Sequence, residues 1–151
     1  MLKALKDLLS TATKESKAVP ADKDQLLASA AAMLLFEVAW ADHDMSEEEI
    51  ALIEESLHKL FDLPQTVIAL LVEDARTKHD ASVGLYEYTR TINAELEPVE
   101  KFELMVALWR LALSDQSLHA LEEHAIRRIS ELLYVPHAQF IRAKQQAQSS
   151  A

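Results

Sequence analysis

Apolar side chains recur every three or four residues along most of this chain, the period of an amphipathic helix rather than the alternation of a strand. Leu27, Ala31, Leu34, Leu35, Val38 and Ala39 predict one helix, opened by a capping box at Asp22 and Gln25 and ending near Ala41. Ser46 with Glu49 is a second capping box, and Ile50, Ile53, Leu57 and Leu60 carry its helix to about Phe61. Pro64 opens a third helix, with Val67, Ile68, Leu70, Leu71 and Val72 leading to about Lys78. Asp80 caps a helix from about Ala81 to Leu96, with Val83, Leu85, Tyr86 and Ile92 facing inward. Pro98 holds a favourable early position in the next, which runs through Phe102, Met105, Val106, Leu108, Trp109 and Ala112. Leu121, Ala125, Ile126, Ile129 and Leu132 mark a helix from His119 to about Leu133, and a last helix follows Pro136 to about Gln146.

The two halves of this pattern repeat. Val38–Leu57 reads VAWADHDMSEEEIALIEESL and Leu111–Ser130 reads LALSDQSLHALEEHAIRRIS. A shift of 73 places Asp42 on Asp115, Met45 on Leu118, Glu49 on Glu122 and Ile53 on Ile126, and a shift of 72 places Pro64 on Pro136. Each half therefore reads as long helix, tight acidic turn, helix, proline-started helix. The expected fold is all-α: a bundle of about seven to eight helices with an approximate internal two-fold repeat, able to bring two distant acidic turns together.

Composition narrows the picture. At 151 residues the chain fits one domain and buries roughly 70% of its unfolded surface. Its single glycine, Gly84, disfavours a turn-rich sheet protein, and the lack of cysteine excludes disulfides and thiolate metal sites. Residues 1–20 carry a net charge of +2 within a total of −10, which leaves the body strongly acidic. Such a body repels nucleic acid and attracts cations or basic protein surfaces. No segment is long and apolar enough to span a membrane, and MLKALKDLLSTATK lacks the apolar run of a secretory signal. That opening is instead an amphipathic helix, with Leu2, Leu5, Leu8 and Leu9 opposite Lys3, Lys6 and Lys14; it packs on the domain or touches an acidic lipid surface or partner groove. The expected organisation is this helix and a polar linker over 1–20, a helical domain over 21–147, and a frayed tail over 148–151. A cytoplasmic location fits the absence of cysteine.

The acidic turns carry the candidate chemistry. Asp42, Asp44 and Glu49 from one half, with Asp115 and Glu122 from the other, offer up to five carboxylates, the oxygen donors that Ca²⁺, Mg²⁺ or Mn²⁺ prefer. His43 and His119 lie in the same turns and can add nitrogen. The loop is not an EF-hand: Glu47 stands where its turn glycine is needed, and Ile53 where its bidentate glutamate belongs. Ordinary roles compete at each residue. Glu49 completes the Ser46 capping box, Asp42 and Asp44 suit an Asx turn, and Glu47 and Glu48 complement a helix dipole.

Ala41-Asp42-His43-Asp44-Met45-Ser46-Glu47-Glu48-Glu49 and Ser114-Asp115-Gln116-Ser117-Leu118-His119-Ala120-Leu121-Glu122 resemble the twice-used signature of the TerB-like proteins, a family named for a bacterial tellurite-resistance component. Leu85-Tyr86-Glu87-Tyr88-Thr89-Arg90 is similar to that family's middle helix, so the resemblance covers roughly Asp22 to Ala147. It implies a cytoplasmic, non-enzymatic stress-response module with a divalent-cation site at the acidic turns and a protein partner, membrane-associated in some complexes. Asp42, Glu49, Asp115 and Glu122 carry over. The usual turn glycine is His43 in one copy and Gln116 in the other, and Ser117 replaces the counterpart of Asp44, so the second half is the weaker ligand set.

Two alternatives stay open. One is a metal-free adaptor that docks a protein on its acidic face. The other is a helical metal-dependent phosphohydrolase using His58, His79-Asp80 and Asp115, although His79-Asp80 suits a helix end and the following cap. Glu55-x-x-His58 has no second copy at Glu122-Glu123-His124, and neither a phosphate-cradling glycine loop nor a serine nucleophile with an obvious partner is present.

Overall fold

A computed structural model describes residues 19–41, 45–79, 85–114 and 120–149. Among them are seven helices and no strand: α1 (Val19–Ala39), α2 (Glu47–Leu60), α3 (Gln65–His79), α4 (Tyr86–Glu95), α5 (Pro98–Ala112), α6 (Ala120–Leu132) and α7 (His137–Ser149). The all-α expectation holds.

α1 is the centre of the molecule. Residues 30–36, Val38 and Ala39 are all buried, so this helix is apolar nearly all round, the pattern of a helix enclosed by others. It packs on α2, α3, α4, α5 and α6. The small side chains of Ala28, Ala30, Ala31 and Ala32 let those neighbours approach closely. The packing matches between the halves in part: α1 lies most heavily on α3 as α5 does on α7, and α1 meets α6 as α2 meets α5, whereas α2 packs on α3 and α6 has no comparable contact with α7. α4 joins the halves and rests on α1, where Lys23 Nζ pairs with Glu95 Oε2 at 2.7 Å.

Trp109 is the largest fully buried side chain, tilted against Phe140 with ring centroids 5.1 Å apart. Lys144 and Arg127 lie over the Trp109 and Phe140 rings at 5.1 Å and 4.8 Å. Their aliphatic stems extend the core while their charges stay near solvent.

Several boundaries and faces differ from expectation. α1 begins at Val19, so Pro20 sits in its first turn instead of ending a linker; a missing N–H costs nothing where no intrahelical partner exists. Gln25, expected to complete a capping box with Asp22, is buried within the helix. α4 is described from Tyr86, and Tyr86 faces solvent at 68% exposure, whereas Leu85 and Ile92 are buried as expected. Asp80, Ala81 and Val83 lie outside the described residues. α7 continues to Ser149.

The apolar face of α6 is Ile126, Ile129 and Leu133, and Leu121, expected on it, is 57% exposed. Leu121 falls one position off the i, i+4, i+7 row that those residues define. The amphipathic segment at 2–14 lies outside the described residues. No helix among the described residues is long and apolar enough to cross a membrane.

Candidate functional site

The last turn of α1 tightens before the first acidic motif: the Trp40 N–H donates to Phe36 O at 2.8 Å and the Ala41 N–H to Val38 O at 3.2 Å. Asp42, His43 and Asp44 lie outside the described residues. The chain resumes at Met45, partly buried against the core, and at Ser46, whose extended backbone (φ −93°, ψ 163°) is that of a helix cap. The expected capping box is present. The Glu49 N–H donates to Ser46 Oγ at 3.1 Å, and the Ser46 N–H donates to Glu49 Oε1 at 3.0 Å. Glu47, Glu48 and Glu49 fill the first turn of α2, where negative charge complements the helix dipole. The ordinary role proposed for Glu49 is thus realised in full.

In the second half, α5 closes with the Leu113 N–H on Trp109 O at 2.9 Å and with the Ser114 N–H and Oγ both on Leu111 O. Asp115, His119 and the residues between them lie outside the described residues. α6 then opens differently from α2. Glu122, the repeat partner of Glu49, is only 2% exposed. It sits four residues before Ile126 and therefore on the buried row of α6, not on the solvated side. Glu123 turns outward, within 3.9 Å of Arg127 Nη2 and 4.0 Å of Lys144 Nζ.

A cleft of about 280 Å³ connects the two regions. Glu37, Trp40 and Ala41 at the end of α1 form one wall; Leu121, His124, Ala125 and Arg128 of α6 form the other, and Leu85 closes the floor. Ala41 is the residue immediately before Asp42, and Leu121 precedes Glu122. The fold therefore brings the chain flanking the first acidic motif against the helix that follows the second. Sequence reading missed this cleft, although the exposed side of α6 carried its signal in Leu121 and Arg128.

Of the five expected cation ligands, Asp42, Asp44 and Asp115 lie outside the described residues, and Glu49 and Glu122 lie within them. Among the described residues no group of three or more histidines, aspartates and glutamates is arranged to hold a metal ion. Of the residues in the other histidine constellation, the His79 side chain, Asp80 and Asp115 lie outside the described residues. The ring of His58 is hydrogen-bonded to Gln65, whose amide donates to Glu54 Oε2 at 2.9 Å, and Glu55 pairs with Lys59 at 3.2 Å. His124 is exposed on the wall of the cleft.

Comparison with known proteins adds one finding. The family model described as tellurite resistance protein TerB matches residues 28–145, from the third turn of α1 to the body of α7. No curated protein and no solved structure matches the chain.

Proposed function

The chain belongs to the tellurite resistance protein TerB family, and from that premise we propose that it is a non-enzymatic stress-response module which binds a divalent cation between its two acidic turns. Asp42, Asp44 and Glu49 would supply oxygen from one half, and Asp115 and Glu122 from the other. The bound ion would supply positive charge that lets carboxylates of both halves converge, and so would brace the two halves against each other. All five donors are carboxylates, which favours Ca²⁺, Mg²⁺ or Mn²⁺ over softer metals.

One observation carries this reading: Ala41 and Leu121 line the same cleft from opposite walls, each adjoining a candidate ligand in the chain. The burial of Glu122 adds weight, because a carboxylate in a low-dielectric setting attracts a cation more strongly than one in water. The module would act through a protein partner rather than by chemistry of its own, in the cytoplasm.

A second reading has its own support. Glu49 is already used by Ser46, and a chain of net charge −10 can dock a basic protein without any metal.

Thermal unfolding with Ca²⁺, Mg²⁺, Mn²⁺ and Zn²⁺ separates the two. A ligand that prefers the folded state raises the melting temperature as it saturates. The cation reading predicts a rise for the native chain with at least one of Ca²⁺, Mg²⁺ and Mn²⁺ that disappears in Asp42→Asn/Asp115→Asn. No rise with any ion leaves the adaptor.

A further inference from the structure

The end of the bundle remote from the second acidic motif carries another concavity, of about 460 Å³. Its walls are the first turns of α5 and α7 and the link between α6 and α7. α5 is 15 residues long, so the groove and the second acidic motif are separated by on the order of 20 Å.

Tyr134, on the rim, holds an uncommon backbone. It is the one non-glycine residue with positive φ among those described, at 57°. The Val135 N–H donates to Ser130 O at 2.9 Å and the Tyr134 N–H to Glu131 O at 3.1 Å, the paired bonds of a Schellman ending with Tyr134 in the left-handed position. Glycine is the usual occupant, because a β-carbon there crowds the backbone. Tyr134 gains no burial in exchange: it is 79% exposed. The matching link of the first half, Phe61–Pro64, turns without any positive φ. A strained residue that displays an aromatic ring to solvent has a rationale if that ring serves a partner.

The groove also differs in charge from the rest of the chain. Lys101 and Arg142 line it and no carboxylate does, within a protein of net charge −10. Lys101 Nζ is held by Leu133 O at 3.2 Å, and the Arg142 guanidinium lies over the Phe102 ring at 5.4 Å. Neither pairs with a described carboxylate. Exposed Val99 completes an apolar surface with Phe102 and Pro136. Tyrosine, arginine and apolar contact together are the composition of protein-interface hot spots.

We propose that this groove docks an acidic segment of a partner protein, with its carboxylates on Lys101 and Arg142 and an adjacent aliphatic or proline side chain against Val99, Phe102 and Tyr134. It shares no residue with the acidic turns and does not depend on the cation reading.

Random dodecapeptides displayed on phage and selected on the full chain provide the probe. Synthetic copies of the selected peptides are then titrated by fluorescence anisotropy against wild type, Tyr134→Gly, Arg142→Glu and Lys59→Gln. The selected peptides should share a carboxylate beside an apolar residue. Tyr134→Gly and Arg142→Glu should each weaken binding about tenfold or more, and Lys59→Gln, an exposed change outside the groove, should leave it unchanged. Tyr134→Gly should melt at or above the wild-type temperature, which separates lost docking from lost folding. Selected peptides without acidic residues, or equal affinity for wild type and both groove variants, would overturn the proposal. So would sedimentation showing a wild-type dimer that Tyr134→Gly dissociates, because a second copy would then be the occupant.

Discussion

Glu49 and Glu122 hold the same place in the repeat and live in different surroundings. Glu49 lies at a solvated helix start, where its carboxylate and the Ser46 hydroxyl satisfy each other's backbone N–H groups. Glu122 opens the corresponding helix of the other half from inside the bundle, at 2% exposure. A cap gives the first a sufficient local role. A buried carboxylate is a costlier feature, because a charge taken from water must be met by compensating groups. The difference places the costlier burial in the second half.

The most severe way to break this contrast is to remove both carboxylates in turn. Glu122→Ala should destabilise the fold by about 3 kcal/mol, since it empties a buried side-chain volume and unpairs the group that meets the carboxyl. Glu49→Ala should cost only about 1 kcal/mol, the worth of a helix cap. Urea midpoints at unchanged slope measure both; equal losses would erase the distinction.

A second test sharpens the capping side. Ser46→Ala should also cost about 1 kcal/mol. Combined with Glu49→Ala, the loss should fall short of the sum, because the two residues act as one unit. Additive losses in the same urea assay would mean that Glu49 stabilises the protein through something other than Ser46.

The two links that follow α2 and α6 offer a third contrast. Tyr134→Gly should stabilise the protein by about 1 kcal/mol by relieving a left-handed β-carbon, whereas Asp62→Gly, in a link without positive φ, should not stabilise at all. Calorimetric melting of both variants decides it. Smallest of all, Lys59→Gln breaks the exposed i, i+4 pair with Glu55 and should cost about 0.3 kcal/mol, readable as a slight fall in urea midpoint that vanishes at high salt.

Much of the architecture was legible before any coordinates. The Ser46–Glu49 box, the proline-started helices and the buried rows of α1, α3 and α5 follow from local spacing, and they recur in the structure. What failed was phase at single positions. On α6, the rows 121/125/128/132 and 122/126/129/133 are adjacent; Ala125, Ile126, Ile129 and Leu132 pack inward as expected, and Leu121 does not. Ile126 and Ile129 already placed Glu122 on the buried row. Tyr86 misled in the same way, because tyrosine is apolar enough for either side of a helix.

The start of α1 failed for a different reason: Pro20 ends a helix from within but begins one readily. The Glu97–Glu100 box, with the Glu97 N–H on Glu100 Oε1 at 2.8 Å, was missed because glutamate is an unusual cap residue. Neither the cleft beside Trp40 nor the groove beside Tyr134 can be placed from local spacing alone. Each is made by helices distant in the chain, and only their packing creates it.

The paired acidic turns are the centre of the functional account, and Mn²⁺ as a paramagnetic probe tests them most directly. Amide resonances are followed in ¹⁵N-labelled protein during titration with substoichiometric Mn²⁺. A joint site requires the amides of residues 42–49 and 115–122 to broaden together, at the same Mn²⁺ concentration, and to recover together in Asp42→Asn/Asp115→Asn. Broadening confined to one of the two segments, or none in either, would contradict it.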